Sequence, residues 1–277
     1  MSRSARRPVG LGYDTRVDPL APITTELRQR LAGVKAVLFD LDGTLIDTIG
    51  LILESMRHAT TVVLGSPLDD KILLRNVGIP LRTQMGEFAP EQAEQLLREY
   101  RIHNALEHDA RVRAFSGVPE ALDAISARGL PIGVVTSKSR VMAERGLKVT
   151  GLLDRFDVVV TCDDTDRHKP DPLPLAFAAD VLGVDVRDCL YLGDSHLDVL
   201  AARAGGAIAV AATWGVGGPA ELAEAGPDIT IDRIGDLVDF LETDTDGSAG
   251  GRHIPASGGV HSATGRCVDP ASRPTYS

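Results

Sequence analysis

Residues 39–47 read Phe39-Asp40-Leu41-Asp42-Gly43-Thr44-Leu45-Ile46-Asp47, so two carboxylates stand one residue apart at the end of an apolar run, with Gly and Thr next. Two like charges held this close are costly unless a cation or a shared proton relieves them. A turn rich in Asp and Gly would account for the D-x-D spacing alone. The apolar run before it makes the string a strand that delivers both acids at its C-terminal edge. Histidine and cysteine offer no comparable cluster. Cys162, Cys189 and Cys267 are far apart and form no metal-ligand pair, which fits a reducing compartment.

The elements that must position these acids are legible as short, continuously apolar segments. They are VKAVLFD (34–40), IGVVTS (132–137), DVVVTCD (157–163), CLYLGD (189–194), AIAVAAT (207–213) and the weaker ITID (229–232). Strands that are apolar throughout, not alternating, belong to a parallel sheet covered on both faces. Amphipathic stretches separate them (VPEALDAISARG, RVMAERGLKVTG, LPLAFAADVLG, HLDVLAARAGG and PAELAEAG), several ending in Gly, a usual helix stop. Strands alternating with helices of this length predict an α/β fold built on a doubly wound parallel sheet.

One interval breaks that rhythm. About 90 residues, roughly 48–131, separate the first strand from the second, and most look helical: LILESMRHATTVVLG, DDKILLRNVG and EQAEQLLREYRIHNALEHD. The economical reading is a helical cap over 50–112, inserted after strand one, with 24–49 and 113–243 forming the α/β core. Loops at the C-terminal ends of parallel strands form the ligand crevice, so such an insertion would cover it as a lid. Residues 1–23 and the Gly/Ser/Pro-rich 244–277 have too few bulky apolar groups to offset their ordering entropy, and are expected to be flexible.

Composition narrows the partners. The 277 residues carry a net charge of −10 and only 4% aromatics, a poor match to non-specific nucleic-acid or anionic-membrane binding. No apolar run approaches the roughly 20 residues that cross a bilayer, and no apolar signal core follows the basic start. The chain reads as cytoplasmic, with its oligomeric state, monomer or homodimer, left open.

DLDGTLID resembles the nucleophile motif of the haloacid dehalogenase-like hydrolases, and three further signatures of that superfamily follow in order. Thr136, followed by Ser137 and Lys138, ends the second strand. Lys169 in Arg167-His168-Lys169-Pro170-Asp171-Pro172 stands at the expected helix start after the third, where prolines suit a turn. Asp194 and Asp198 follow the fourth, one helical turn apart. Each downstream signal is common alone; together, each after its own strand, they cover about 35–241. GIPL (78–81), FSGV (115–118), TSK (136–138), FDVVVTCDD (156–164), HKPDP (168–172) and LGDSHLD (192–198) look most like phosphoglycolate phosphatases and the closely related pyrophosphatases. Ser137 and Ser195 stand where those families often have Asn or Thr.

The resemblance implies a Mg2+-dependent phosphatase acting on a small phosphorylated metabolite. Asp40 would be the nucleophile and form an aspartyl-phosphate. Asp42 would protonate the leaving oxygen and then activate water. Asp40, the main-chain carbonyl of Asp42 and Asp194 would hold Mg2+, and Asp198 would hold a metal-bound water or orient Lys169. Thr136, Ser137 and the backbone around Gly43 and Thr44 would hold the phosphoryl oxygens, with Lys169 offsetting their charge. Gly78, Pro80, Arg75, Arg82 and Lys138 are candidates for substrate selection; His196 is not required. Alternatives are an inorganic pyrophosphatase, a phosphatase of specialised-metabolite synthesis (amino-hydroxybenzoate or aminosugar phosphates), and a phosphomutase, against which Thr44 leans. Outside enzymes stand a receiver-like module, which would lack the cap and the Asp194/Asp198 pair, and a catalytically dead binding protein.

Overall fold

The strand Ala36–Phe39 is buried on both sides, and its alternate residues feed two different cores. Val37 and Phe39 face a cluster with Leu122, Leu147 and Phe240, while Ala36 and Leu38 face an alanine-rich one with Ala178, Ala202 and Leu222. This two-sided burial is what an uninterrupted apolar run requires. The computed structural model describes residues 24–242. The expected N-terminal extension (1–23), position 243 and the tail (244–277) lie outside these residues.

In chain order the chain forms α1 (Thr25–Ala32), β1 (Ala36–Phe39), β2 (Ile46–Asp47), α2 (Ile49–Leu64), α3 (Asp70–Leu74), α4 (Leu81–Phe88) and α5 (Ala93–Arg111). It continues through β3 (Arg113–Ala114), α6 (Val118–Ala127), β4 (Ile132–Val135), α7 (Arg140–Val149), β5 (Val158–Val160) and α8 (Leu173–Val181). It closes with β6 (Cys189–Gly193), α9 (His196–Gly205), β7 (Ile208–Ala212), α10 (Pro219–Ala225), β8 (Ile229–Ile231) and α11 (Ile234–Glu242). All six apolar segments are strands of one parallel sheet, in the order β5-β4-β1-β6-β7-β8. The fold is the doubly wound α/β architecture expected.

Register does the positioning. Phe39 pairs with Val134 of β4 on one side and Leu192 of β6 on the other, so the residues following β1, β4 and β6 emerge together. The chain runs outward from β1 through β4 to β5, then returns to β6 on β1's other side. That reversal opens the crevice in which such sheets bind ligands.

The sequence did not announce the short antiparallel pair β2–β3, where Ile46 meets Ala114 and Asp47 meets Arg113. Two residues per strand are too few for a periodic signal, yet the pair brings the two ends of the helical insertion together. Between them α2 to α5 enclose their own small core of Ile52, Met56, Leu73, Met85, Leu96 and Leu97. We propose that these helices, within the expected 50–112, are one cap unit. Helices α1, α4 and α11 were also not foreseen.

Candidate active site

Asp40 leaves the end of β1 with its amide N–H bonded to the Leu192 carbonyl at 2.9 Å, which ties it to β6. Asp194 follows β6 directly and Asp198 lies in the first turn of α9. The sequence Ser195-His196-Leu197-Asp198 makes that turn a capping box: the Ser195 side chain accepts from the Asp198 N–H, and Asp198 accepts from the Ser195 N–H. The cap motif thus aims a carboxylate as well as starting a helix. Asp40, Asp194 and Asp198 are all buried, with possible ligand oxygens within 4.8 Å of one another.

Lys169 enters this cluster from the loop before α8, four residues ahead of the helix and not at its start, on a cis peptide bond to Pro170. Its ammonium donates to Asp40 Oδ1 at 2.8 Å, Asp198 Oδ1 at 2.5 Å and the Tyr191 hydroxyl at 3.1 Å. All three protons are used. Tyr191, on β6, sits 3.0 Å from the same Asp198 oxygen and 2.9 Å from the Val135 carbonyl. Asp198 Oδ2 takes the Ser195 N–H and hydroxyl at 3.0 and 2.5 Å. Asp198 therefore has protein donors on both oxygens, and the single Tyr191 proton lies between it and the Val135 carbonyl.

Asp194 is held differently. Thr44 donates to its Oδ1 at 2.9 Å and the Val216 N–H to its Oδ2 at 2.7 Å, one donor for each oxygen. Its backing is glycine by necessity: Gly43 has φ +86°, and a Cβ there would lie 2.3 Å from Asp194 Oδ2, while one on Gly215 would lie 2.0 Å away. Trp214 donates to the Thr44 carbonyl at 3.1 Å and braces the same turn. Asp42 points away from this cluster. Its Oδ1 takes Lys138 Nζ at 2.5 Å and the Thr48 hydroxyl at 2.7 Å.

Three buried carboxylates share one ammonium, so two negative charges remain when all are ionised. Burial, reinforced by the Asp198 charge, pushes Asp194 up to about 7. Asp40 is likewise pushed well up by burial, with Lys169 opposing. Burial alone would raise Asp198 too, but the Lys169 charge and its hydrogen bonds carry it below the ordinary value. Lys169 runs against its own burial and is raised by Asp198 and Asp40. A divalent cation fits this donor set: hard oxygens, excess negative charge, and unused lone pairs on Asp40 and Asp194. Asp198, with Lys169 and both Ser195 donors already on it, fits the alternative of orienting Lys169.

Of the residues read from sequence, Asp40, Lys169, Asp194 and Asp198 converge on one point, with Asp42 held beside it by Lys138. Thr136 follows β4, buried, and accepts from the Lys138 N–H at 3.2 Å; Ser137 is half-buried on the same loop. Of the expected backbone donors, the Gly43 N–H instead donates to the Ile46 carbonyl, while the Thr44 N–H donates to no protein acceptor among the described residues and its hydroxyl is on Asp194. The N–H groups of Leu41 and Asp42 donate to no protein acceptor among the described residues, so the open donors begin one residue after Asp40. In the cap, Gly78 (φ +115°) lies against Ser195 and Leu197, Pro80 precedes α4, and Arg75 is exposed beside α9. Arg82 instead pairs with Glu94 on the cap surface.

Tyr191, Val216 and Trp214 were not singled out from sequence. A lone phenol in the otherwise aliphatic CLYLG strand was a usable signal for Tyr191; a backbone donor such as Val216 has none. The cap adds a buried polar group of its own, in which Asn104 donates to the Ser55 hydroxyl at 3.3 Å and the Tyr100 hydroxyl at 3.4 Å.

A family model described as haloacid dehalogenase-like hydrolase matches residues 37–212. Pyrophosphatase PpaX of Bacillus cereus is 35% identical over 208 residues, spanning 75% of this chain and 96% of that protein. Among solved structures, a hydrolase from Pseudomonas syringae superposes with a TM-score of 0.69 at 27% identity, covering 76% of this chain and 98% of that one. A structure described as a predicted phosphoglycolate phosphatase from Haemophilus somnus gives the same TM-score of 0.69 at 24% identity, over 76% of this chain and 99% of its own, and bears on the fold alone.

Proposed function

The chain belongs to the haloacid dehalogenase-like hydrolases, and from that premise we propose that it is a Mg2+-dependent phosphatase of a small phosphorylated metabolite, acting through an aspartyl-phosphate on Asp40. The observation that carries the reading is Lys169 held 2.8 Å from Asp40 and 2.5 Å from Asp198, with Asp194 in the same buried group. Phosphoglycolate and inorganic pyrophosphate are supported about equally, the first by the sequence resemblance and the second by the 35% identity to a pyrophosphatase.

The unused lone pairs fit the division of labour. Lys169 anchors Asp40 through Oδ1, leaving Oδ2 to attack phosphorus in line with the departing oxygen. Asp42 is anchored through Oδ1 by Lys138 and Thr48, leaving Oδ2 to hand a proton to that oxygen and later take one from the water that cleaves the acyl phosphate. The Leu41 and Asp42 N–H groups and Thr136 would receive the equatorial oxygens. Asp40, Asp194 and the Asp42 carbonyl would hold Mg2+. When bound, the ion neutralises the phosphoryl oxygens and the carboxylates around it.

Release of phosphate from an aryl phosphate, from phosphoglycolate and from pyrophosphate, each with and without Mg2+, tests the reading. Asp40→Asn should abolish all metal-dependent release while the protein stays folded by circular dichroism; turnover surviving that change would remove Asp40 as nucleophile.

A further inference from the structure

His108, in the last turn of α5, is fully buried, and its Nε2 is the one buried side-chain nitrogen or oxygen among the described residues that has no hydrogen-bond partner. The other ring nitrogen fixes the tautomer. Nδ1 lies 2.9 Å from Asp109 Oδ1, and an ionised carboxylate only accepts, so Nδ1 carries the proton and Nε2 a bare lone pair. That nitrogen packs against the core: a Cβ on Gly146 of α7 would lie 3.8 Å from it and 3.0 Å from Ile46 Cδ1. Ile46 belongs to β2, which pairs with β3 where the chain enters and leaves the helical insertion. The ring thus fills the point where α5, α7 and the hinge pair meet.

The charges around it oppose a second proton. Asp109 is shared with Arg145 of α7, whose Nε donates to the same Oδ1 at 2.8 Å and whose Nη2 donates to the Ala105 carbonyl at 3.1 Å. These bonds tie the last turn of α5 to α7. Lys138, on the loop before α7, adds another positive charge near the ring. From the hinge pair come Asp47 and Arg113, opposite each other in register, and Arg113 donates to the Ala110 and Val112 carbonyls at 2.8 and 2.6 Å. The one acid in contact with the ring, Asp109, is more than half exposed, so water weakens its pull. Burial, Lys138 and Arg145 together hold the imidazole below its ordinary range, against Asp109.

We infer that His108 is a pH-sensitive pin of the cap hinge: while neutral it seals α5 against α7, and on taking a proton at Nε2 it leaves the seam for water and loosens that end of the helical insertion. A bare imidazole nitrogen is tolerated where it packs on Gly146 and Ile46, whereas a charged ring with an unmet N–H there is costly. The released ring binds the proton more tightly than the sealed one. The seal is therefore complete above 6.5, the ordinary histidine value, and weakens as pH falls below it. The device depends on neither the phosphatase reading nor the substrate.

Hydrogen exchange on the full chain, at pH 7.5 and pH 5.0 and corrected for intrinsic rates, reads this opening at the amides of residues 109–115. Among them the Val112 N–H donates to the His108 carbonyl at 2.9 Å and the Phe115 N–H to the Leu45 carbonyl at 3.0 Å. Protection there should fall at least about threefold from pH 7.5 to pH 5.0, with the amides of β6 as the internal reference. His108→Leu, which keeps an apolar side chain in the seam but cannot titrate, should hold protection constant. A flat profile in wild type overturns the pin, and so does a fall of the same size in His108→Leu. An NMR titration of the His108 ring in the wild-type protein needs no variant. It should titrate below 6.5, and a ring that titrates at or above that value overturns the proposal.

Discussion

The core and the cap hold their polar groups by opposite means. In the core the catalytic candidates are fixed from several sides: Lys169 by three acceptors, Asp198 by Lys169 and by the N–H and hydroxyl of Ser195, Asp194 by Thr44 and Val216 with glycines packed behind. In the cap, cations lie in surface pairs or have no partner among the described residues, and in the interior polar group Asn104 is held only at 3.3 and 3.4 Å, with Ser55 fixed to the Leu51 carbonyl at 2.7 Å. A rigid constellation suits bond-making, where sub-ångström placement matters. A loosely held wall suits selecting what enters.

The largest difference should appear on removing one cation from each region. Lys169→Ala strips Asp40 and Asp198 of their common partner in a site where Lys169 is 3% exposed. Breaking a buried pair by deleting one partner costs about 3–5 kcal/mol, and losing the charge at the reaction centre should lower kcat by at least about a hundredfold. Arg82→Ala removes only an exposed pair with Glu94 and should change kcat/KM by less than about twofold, with little shift in Tm. Denaturant unfolding and steady-state kinetics on both variants measure the contrast. Comparable losses would mean the cap is as tightly built as the core.

A second, smaller effect belongs to the core alone and has a sign. Asp194 has an ordinary value of 3.8 and is pushed up to about 7 by burial, so its folded-state pKa exceeds its unfolded one. Its contribution to stability is complete below pH 3.8 and is lost as pH rises through about 7. The raised Asp40 acts in the same direction. His108, lowered by its burial where α5 meets Gly146 of α7, acts in the opposite one, losing stability as pH falls. Metal-free protein should therefore lose stability between pH 5 and pH 8, at up to about 1.4 kcal/mol per pH unit for each raised carboxyl, seen as a falling Tm, and the rise in Tm on adding Mg2+ should be larger at pH 8. Asp194→Asn should remove most of the fall and most of the Mg2+ effect. A Tm that is flat with pH in wild type would show that the cluster is not short of positive charge.

The same contrast explains what could be read from sequence. Asp40, Asp42, Thr136 and Asp194 were legible because each follows an apolar strand, and parallel register brings strand ends together whatever lies between them. Lys169 was found but misplaced by four residues, because Pro170 and Pro172 mark a turn without saying on which side of it the helix begins. The Val216 N–H and the hinge pair β2–β3 were invisible, the first because a backbone donor has no residue type, the second because two residues carry no period. The cap was legible as a helical interruption, but not in its selectivity. Arg75 and Arg82 look alike in sequence, and only packing shows that Glu94 takes one and leaves the other beside α9.

The smallest effect is the sharpest comparison, because it sets two buried tyrosines side by side. Tyr191 in β6 has its hydroxyl within 3.1 Å of Lys169, Asp198 and the Val135 carbonyl, so Tyr191→Phe removes an acceptor from Lys169 and a donor from the strand. That should cost about 1–2 kcal/mol of stability and lower kcat severalfold, with KM little changed, since the lysine is positioned less well but the substrate pocket is intact. Tyr100 on α5 has its hydroxyl 3.4 Å from Asn104 as acceptor, and its own proton meets no acceptor among the described residues. Burial, with the nearby Asp42 charge, raises this phenol and keeps it neutral, a donor on the cap side of Asp42. Tyr100→Phe should leave stability almost untouched and instead raise KM for the preferred substrate by a few-fold. If it is Tyr100→Phe that lowers kcat and Tm while Tyr191→Phe moves only KM, the division between a core that reacts and a cap that selects is drawn in the wrong place.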